Sequence, residues 1–534
     1  MTISLSEHIQ SNIYLLYFGI VLVFIALSYF QLSGKTRISI VLISLASIAL
    51  SLFVCLSDPF LHMWDEQVHA VVAKNMLENP FKPMLMNDPV LPYNFKNWTG
   101  NHIWLHKQPL FLWQIALSFK IFGVSIFSLR LPSMIMLALL VFPVYRIGKI
   151  IWSKQTGIYA AILLVGSNFF YQLVSGRIHT DHNDIAFLFY VTLSIWAWFE
   201  KNNSNRKYWI ILIGIFAGAA ILNKWLVGLL VYSVWGLNIL LIKENRTKLV
   251  SYLEMIVSVL ITTLVALPWQ LYILNKFPVE SKFEFEFNSL HLFEALEGHT
   301  GDAFYHLNKV ETLYGTDFQY VIIASLVILL FSGVKGKYKF ALLTWVAIVY
   351  GFYSIAATKM PAFTIIIAPV VYIIVALALS NLYLWLDKVK CKYRINSIFL
   401  KVFSIGLVFY LFFHFLNHDK LSLKNSDWDR KVFQRALTST LEYKNLPNIF
   451  GSEDVMFYNS RNFDKLKIMF HTDYRARAGV PSVKYINTLK ENNIKIVVFD
   501  NNKLPDYILT DTSIAKIKSK VWQKDFQGDM EVYY

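Results

Sequence analysis

The chain has 534 residues, of which 56% are hydrophobic, 16% aromatic and 16% charged. This composition excludes an ordinary soluble protein and indicates an integral membrane protein. The net charge of +15 does not indicate nucleic-acid binding, because the basic residues fall in short clusters between apolar runs, as in cytoplasmic loops.

Apolar runs predict a polytopic helical protein. A membrane-spanning helix needs roughly 20 mostly apolar residues. About twelve runs approach that length, near residues 12–30, 38–56, 130–148, 156–174, 184–199, 208–222, 225–242, 250–271, 318–333, 339–356, 361–385 and 397–416. The N-terminus lacks a basic segment and a cleavage site, so the first run is expected to be retained. Cys55 and Cys391 indicate neither a disulfide framework nor a cysteine metal site.

The basic clusters predict the sidedness of these spans. Each follows an odd-numbered span, and they lie at 33–37, 146–154, 201–207, 243–248, 335–339 and 387–394. Because Lys and Arg concentrate on the cytoplasmic side, the remaining connections are predicted to lie outside the cytoplasm. These comprise both termini, the long loops 57–129 and 272–317, the turns 175–183, 223–224 and 357–360, and everything after 417.

Two regions are predicted. Residues 1–416 would form an all-α transmembrane domain, and residues 417–534 a small extracytoplasmic α/β domain. In the second region, 464–471 and 494–499 are expected to be strands flanking a helix near 481–492.

Loop 57–129 contains two predicted helices. One begins at Asp65, suits that residue as its N-cap, and carries Val68, Val71, Val72 and Met76 on one face. The other, 109–123, starts at Pro109 and is expected to lie in the interface plane, with a re-entrant or crossing helix as the alternative.

The ionisable residues collect in the predicted outer segments. The adjacent acids Asp65 and Glu66 share loop 57–129 with several basic groups, His62, His69, His102, His106 and Lys107, and the segment 179-HTDHND-184 adds Asp181. Ionisable groups at a bilayer edge are costly and often functional. The alternative is a helix cap beside an interfacial acid.

Lysines at predicted outer positions oppose the usual charge bias. Lys107, Lys224 and Lys359 can bind an anionic lipid phosphate, or can extend to the headgroups without a specific ligand. His299 is a candidate phosphate or metal ligand. The run 283-FEFEF-287 is read as an edge strand or an interfacial segment, and no HExxH or glycine-rich phosphate motif occurs.

Several motifs occur in the order of a known family. They are the Asp-Glu pair, the Lys-x-Pro-Leu segment leading into 116-ALSFKIFGVSIFSLRLPS-133, HTD at 179–181, 218-GAAILNKWLVGLL-230 and 358-TKMPAFTIIIAP-369. This set resembles the GT-C glycosyltransferases that use polyprenyl-phosphate sugars, especially the bacterial branch of lipid A aminoarabinose transferases and protein O-mannosyltransferase-like enzymes. The resemblance covers residues from about 57 to 385.

The resemblance implies an active site on the outer face of the cytoplasmic membrane, under loop 57–129. Asp65 would be the catalytic carboxylate and Asp181 a second acid, with Glu66 and His69 supporting them. Lys107, Lys359 and His299 would bind the donor phosphate, and His106 with His299 would be the candidate ligands of a divalent metal ion. The sequence departs from the family where His106 replaces a Glu and Val68 replaces an Arg.

The predicted activity is transfer of a sugar from a polyprenyl monophosphate to lipid A, another glycan or a protein. A lipid phosphate is already a good leaving group, so cations around it and a base for the acceptor suffice. In-line attack would invert the anomeric carbon. Two other hypotheses stay open: a transporter or flippase for a lipid-linked glycan, and an O-antigen polymerase-like enzyme.

Overall fold

The computed structural model describes residues 4–87, 89–178, 181–204, 206–393, 397–424, 426–461 and 463–519. Long apolar helices make up the first three quarters of the chain, and a small parallel sheet lies near its C-terminal end. This architecture confirms the predicted fold class.

The first half of the membrane region is helical almost throughout. Its helices before the long central loop are α1 (Leu5–Ser33), α2 (Thr36–Ser57), α3 (Asp65–Asn75), α4 (Leu110–Phe122), α5 (Ile126–Ile151), α6 (Lys154–Val165), α7 (Asn168–Val174), α8 (Asp181–Ser204), α9 (Tyr208–Lys224), α10 (Leu230–Leu241), α11 (Lys243–Arg246) and α12 (Leu249–Lys276). A short 3-10 helix, Trp225–Leu229, joins α9 to α10. The α1–α2 pair forms a hairpin because Gly34 adopts a left-handed conformation with φ of 66° at the end of α1.

The second half of the membrane region continues in the same way. Its helices are α13 (Pro278–Leu290), α14 (Tyr305–Asn308), α15 (Val310–Tyr314), α16 (Phe318–Phe331), α17 (Gly336–Ile355), α18 (Ala368–Tyr393) and α19 (Ser397–Leu416). The 3-10 helices Leu296–Gly298 and Pro361–Ile367 precede α14 and α18. Segment 283–287 lies within α13, so the predicted edge strand is wrong. Pro278 at the first turn starts this helix, which places Glu284 and Phe287 on neighbouring positions of one face.

Among the described residues, eight helical runs are long and apolar enough to cross a membrane. The pair α6–α7, bent by 52°, brings the number to nine if it is one span. Helices α4 and α16 are apolar but shorter. The predicted number of about twelve therefore stays a prediction.

The run Tyr208–Leu241 contains a reversal of the chain. Trp225 has a φ of 54° and interrupts the helix. A Cβ atom on Gly228 would lie 2.5 Å from the backbone nitrogen of Ile221, so the chain folds back on itself at this point. Helices α9 and α10 consequently run in opposite directions, as the two separately predicted spans require.

Three of the predicted cytoplasmic connections, 201–207, 243–248 and 335–339, meet at one end of the helices. Lys201 near the end of α8 forms an ion pair with Glu254 near the start of α12. The side chain of Asn238, near the end of α10, donates to the carbonyl of Lys337 at the start of α17. The Lys337 ammonium in turn donates to the carbonyl of Asn202. These contacts assemble the basic loops of four helices on one side.

The predicted outer segments meet at the opposite end. Lys224 at the end of α9 is ion-paired with Asp184 in the first turn of α8. The backbone N–H of Lys359 donates to the carbonyl of His299, which ties the turn before α18 to the loop after α13. The orientation of the two ends relative to the cytoplasm is still predicted only from the positive charge of the loops.

The C-terminal region packs on this second end. It contains α20 (His418–Leu421), α21 (Asp427–Lys444), α22 (Leu446–Phe450), β1 (Val455–Tyr458), α23 (Asp464–His471), β2 (Arg475–Ala476), α24 (Val483–Glu491), β3 (Lys495–Phe499), α25 (Asp506–Leu509) and β4 (Ile514–Ile517). The sheet has the order β2-β1-β3-β4, and every pairing is parallel.

One prediction within this region is wrong. Residues 464–471 form helix α23 rather than a strand, whereas the strand at 495–499 and the helix at 483–491 are confirmed. The alternation of Lys and apolar residues imitates a strand, but Asp464 and Lys467 form an ion pair at the helical spacing of three. Leu466 and Phe470, four residues apart, are both buried on the side of the helix that meets the membrane region.

Candidate functional site

Helix α3 positions the proposed catalytic acid. It begins at Asp65 and buries the predicted apolar face, Val68, Val71, Val72 and Met76. The N-cap is Trp64, whose φ is 69°, so the prediction that Asp65 caps the helix is wrong. Trp64 packs against Phe463, with 4.6 Å between their ring centroids. This contact places the turn into the helix at Trp64, one residue before Asp65.

The Asp65 carboxylate is consequently uncommitted. It lies at the first helical position, is partly exposed, and forms no hydrogen bond or ion pair with the part of the chain that the structure describes. A group that must take a proton from a bound acceptor needs this freedom.

Glu66, the second acid of the pair, has a structural role. It is 1% exposed and accepts two hydrogen bonds from Arg130 of α5, from Nε at 2.7 Å and Nη2 at 3.1 Å. It also accepts from the backbone N–H of His62 at 2.6 Å. Burial alone would raise the pKa of the Glu66 carboxyl, but the positive charge and hydrogen bonds of Arg130 lower it. Glu66 is therefore a buried carboxylate that anchors the start of α3 to α5.

Gly176 makes room for this ion pair. It has a φ of 77°, and a Cβ atom there would lie 2.4 Å from the Glu66 carboxyl carbon. Arg130 completes the anchor by donating to the backbone carbonyls of Asp58 and Phe60 at 2.7 and 2.8 Å. The segment between α2 and α3 is thus held rigidly, as a catalytic residue at its end requires.

A second buried ion pair braces the same segment. Asp58 accepts two hydrogen bonds from Arg177, at 2.6 and 3.0 Å, and lies 3.1 Å from His62 Nε2. Burial opposes ionisation of Asp58, but Arg177 and His62 hold the pKa of its carboxyl well below the usual range. Arg177 also donates to the carbonyl of Leu421, which joins this brace to the C-terminal region.

His69 lies between the acid and the nearby cations. It is fully buried one turn after Asp65, between the rings of Trp104 and Phe111. Burial lowers the pKa of its imidazole to about 3, Asp65 opposes this shift, and Lys107 with His106 reinforces it. The charges of Asp65 and Lys107 therefore act in opposite directions on the same imidazole.

Lys107 is the most accessible cation of this group. Its side chain is partly exposed, and its ammonium forms no ion pair or hydrogen bond within the described residues. The preceding His106 is held differently: its Nδ1 lies 3.2 Å from Glu284 of α13, and its ring stacks on Trp98. This anchoring of His106 leaves Lys107 available to a ligand.

Further basic groups surround Lys107. His291 contacts the Thr358 hydroxyl through Nδ1 at 3.0 Å. Burial lowers the pKa of His291 to about 4, and the charges of Lys107, His106, His299 and Lys224 lower it further. We call these five residues, Lys107, His106, His291, His299 and Lys224, the basic cluster. The lysines of this cluster supply positive charge and its imidazoles supply hydrogen-bonding groups, a combination that suits a phosphate group.

Lys359 is held in a way that the sequence did not predict. It is 3% exposed, and its ammonium donates to the carbonyls of Tyr353 and Ser354 at the end of α17, both at 2.7 Å. A cation at the C-terminus of a helix satisfies unpaired carbonyls and the helix dipole. In this conformation Lys359 is a helix cap, so the predicted phosphate contact of its ammonium is not supported.

The segment 179–184 is described only in part. His179 and the side chain of Asp181 lie outside the described residues, so the predicted role of Asp181 stays a prediction. His182 Nδ1 lies 2.9 Å from the Ser133 hydroxyl, and its Nε2 lies 3.8 Å from Glu66. Asp184 is buried against Lys224, whose ammonium also lies over the ring of Phe363.

The described residues do not fit a metal held by three protein ligands. No group of three or more His, Cys, Asp or Glu side chains converges within them. The predicted ligand His106 has one carboxylate neighbour, Glu284, while His299 contributes its carbonyl to Lys359. The predicted divalent ion remains a prediction, and no chemical step below passes through it.

Two participants were not singled out from the sequence. Arg130 is the first residue of the predicted apolar run 130–148. An arginine among membrane helices indicates that an acidic or polar partner holds its guanidinium. The interpretation of 283–287 as an edge strand or an interfacial segment gives Glu284 no role, whereas a helix over 278–290 places it one turn before Phe287 and two turns before His291. These helical spacings are the pattern in the sequence that indicates a role for Glu284.

Comparisons with known proteins show which families the sequence is similar to. Residues 106–272 match the family model described as dolichyl-phosphate-mannose-protein mannosyltransferase. An undecaprenyl phosphate-alpha-4-amino-4-deoxy-L-arabinose arabinosyl transferase of Pseudomonas fluorescens is 25% identical over 332 residues, which are 59% of this chain and 56% of the relative. A Pseudomonas aeruginosa protein of the same description is 30% identical over 235 residues, 43% of this chain and 40% of the relative. The chain spans about half the length of these curated relatives.

Solved structures share the fold. ArnT from Cupriavidus metallidurans bound to undecaprenyl phosphate aligns with a TM-score of 0.60 and 12% identity, over 84% of this chain and 87% of that protein. The archaeal oligosaccharyltransferase AglB from Archaeoglobus fulgidus, in complex with an inhibitory peptide and a dolichol-phosphate, aligns with a TM-score of 0.55 and 13% identity, over 88% and 69%. The resemblance to GT-C glycosyltransferases is confirmed.

Proposed function

We propose that this protein is a membrane glycosyltransferase that moves a sugar from a polyprenyl monophosphate to an acceptor hydroxyl or phosphate on the outer face of the cytoplasmic membrane. The observation that carries the proposal is the uncommitted carboxylate of Asp65 on a rigidly anchored helix, one turn before His69, whose imidazole is also acted on by the charge of Lys107. A base and a cation are the two groups that this transfer needs.

The donor fits the basic cluster. A polyprenyl phosphate carries its charge at the membrane surface and its chain among the helices. Lys107, with no ion-pair partner within the described residues, would contact the phosphate oxygens, and the neutral His291 would donate or accept a hydrogen bond. Lys224 adds positive potential, although part of its charge is already balanced by Asp184.

The reaction follows from this arrangement. Asp65 removes the proton of the acceptor group as its oxygen attacks the anomeric carbon. The bond between that carbon and the phosphate oxygen breaks, and its electron pair leaves with the polyprenyl phosphate, whose charge Lys107 stabilises. Attack opposite to the leaving group inverts the anomeric configuration. No nucleotide is needed, because the lipid phosphate already activates the sugar.

We also propose a sugar and an acceptor for this transfer. The curated relatives are described as arabinosyl transferases acting with undecaprenyl phosphate-alpha-4-amino-4-deoxy-L-arabinose, which favours an aminoarabinose-like pentose. The family model names a mannosyl donor on dolichyl phosphate and a protein acceptor. A lipid A-like glycolipid is our preferred acceptor, because the arabinosyl transferases match over the longer part of the chain.

A transporter for a lipid-linked glycan is less consistent with the residues. Within the described part of the chain, Asp65 and most of the basic cluster lie in loops or at helix ends on one side. A transport path would place ionisable groups within the spans and on both sides.

The direct experiment uses protein purified in detergent. We expect it to transfer a radiolabelled sugar from polyprenyl phosphate to lipid A without any sealed compartment. Analysis of the product anomer should show inversion. Movement of the intact lipid-linked sugar across vesicles, with no transfer in detergent, would instead identify a transporter.

A further inference from the structure

A cavity separate from Asp65 and from the basic cluster lies between the C-terminal region and loop 57–129. Its volume is about 170 Å³, and its wall includes Lys465 of α23, Arg477 after β2, and Thr99 and Gly100 of the loop. It shares Met86, Met469, Ala476 and Arg477 with a neighbouring cavity of about 330 Å³. The two cavities are therefore neighbours, and we call them together the cleft.

Lys465 is buried without a counterion in this cleft. The residue is 9% exposed, yet its ammonium has no hydrogen-bond or ion-pair partner within the described residues. The charge that acts on it is the like charge of Arg477, and burial together with this charge lowers the pKa of Lys465 to about 8. An unpaired buried ammonium is costly unless a ligand supplies the opposite charge.

Arg477 adds a second unsatisfied donor to the same cavity. Its two terminal nitrogens donate to the backbone carbonyls of Pro92 and Leu91, at 2.9 and 2.8 Å. These bonds fix the guanidinium at the cavity wall, while its Nε–H is buried without a hydrogen-bond partner in the described part of the chain. Two fixed positive groups without a carboxylate partner define an anion site.

The larger cavity differs in this respect. Apart from the shared Arg477, its basic residues have acidic neighbours, since Lys74 lies 3.1 Å from Asp473, and Arg475 lies 2.8 Å from Asp454. On helix α23 itself, Lys467 is likewise paired with Asp464 at 2.9 Å. Lack of a partner is thus a particular property of the Lys465 cavity and does not extend to the other basic residues of the cleft.

The cleft adjoins the helix that carries Asp65. Val71, Lys74 and Asn75 of α3 line its larger part. Lys74 follows Asp65 by nine residues, which is about 14 Å along a helix. In addition, Phe463, two residues before Lys465, packs on Trp64, the residue before Asp65. The cleft and the segment that carries Lys465 therefore touch both ends of α3, through Lys74 and through the Phe463–Trp64 contact beside Asp65.

We propose that the Lys465 cavity binds a phosphate group of the acceptor glycolipid and thereby directs the acceptor toward Asp65. This inference rests on the proposed transferase function and adds to it the chemical class of the acceptor. The donor phosphate is assigned to the basic cluster, because its isoprenoid chain must stay among the membrane helices, whereas the Lys465 cavity is walled by the C-terminal region.

The test measures binding to the full-length protein in detergent. The probes are a diphosphorylated glucosamine-disaccharide lipid, the same lipid without phosphates, and undecaprenyl phosphate. We expect Lys465→Met to weaken binding of the phosphorylated lipid about tenfold, with no change for the other two probes. Lys465→Arg should restore most of the affinity. Lys484→Met, which removes an exposed lysine of α24, is the matched control and should bind all three probes normally.

Three results would overturn the inference. They are unchanged binding of the phosphorylated lipid by Lys465→Met, an equal loss for the dephosphorylated lipid, and an equal loss for undecaprenyl phosphate, which would assign Lys465 to the donor. Comparing probes within one variant separates a lost contact from a folding defect. Because binding is measured without turnover, the site can be confirmed even if no sugar transfer is found.

Discussion

Glu66 and Arg130 form a bidentate ion pair in which both side chains are fully buried, with nitrogen–oxygen distances of 2.7 and 3.1 Å. The adjacent Asp65 carboxylate has no such partner among the described residues. Two neighbouring acids of similar intrinsic chemistry are therefore used for different purposes: Glu66 fixes the backbone, and Asp65 remains available for proton transfer.

Breaking this pair should destabilise the protein. Glu66→Gln leaves the Arg130 charge buried without its counterion, which costs about 3–5 kcal/mol. Thermal unfolding in detergent should show a marked fall in the midpoint. The double variant Glu66→Leu/Arg130→Met removes both charges and should recover part of the loss. A Glu66→Gln protein as stable as the wild type would contradict the anchoring role.

Lys107 and Lys359 should behave differently when replaced. Lys107→Ala is expected to raise the KM for the donor roughly 10- to 100-fold, because a charged contact to phosphate is lost. Lys359→Ala should mainly lower thermal stability, since its ammonium caps α17. The control is Lys282→Ala, an exposed lysine of α13. An unchanged donor KM in Lys107→Ala would remove this residue from the donor site.

Stability should fall in mild acid. His69 and His291 have pKa values lowered to about 3 and about 4, so they remain neutral in the folded protein while their unfolded counterparts take up protons below about pH 6.5. Their favourable contribution is complete above that pH and is lost as the pH falls toward 4. For the fully buried His69 the expected slope is about 1.4 kcal/mol per pH unit.

The pH effect is measured by unfolding midpoints between pH 7.5 and 4.5. His69→Gln cannot titrate and should show a shallower decline than the wild type. Identical profiles for the two proteins would mean that His69 does not cause the dependence.

Metal removal tests the remaining cofactor prediction. Because His106 and Glu284 are not joined by a third ligand within the described residues, we expect transfer to continue in excess chelator. Loss of activity that one divalent ion restores would establish a metal requirement. In that case, His106→Ala should weaken binding of that ion.

The sequence was sufficient to predict a polytopic helical membrane protein, because the length of an apolar run is a local property. It also predicted helix α3, whereas the association of Asp65 with Lys107 stays a prediction. The ordered motifs supplied that association, since residues more than 40 positions apart cannot be paired from spacing alone.

Tertiary contacts decided what local patterns could not. The partners of Glu66 and Lys359 depend on which helices pack together. The local pattern of a single sequence does not contain this information. Segment 464–471 has an ambiguous pattern, and its ion pair and packing select the helix. The burial of Lys465 depends on contact with loop 57–129, which no local pattern predicts.

The decisive measurement for Asp65 as the catalytic base is the initial rate of sugar transfer by Asp65→Asn in detergent. This substitution preserves shape and removes the base. We expect the rate to fall by about 10²- to 10⁴-fold, with normal thermal stability and normal binding of undecaprenyl phosphate. Transfer at close to the wild-type rate would contradict the assignment of Asp65 as the catalytic base.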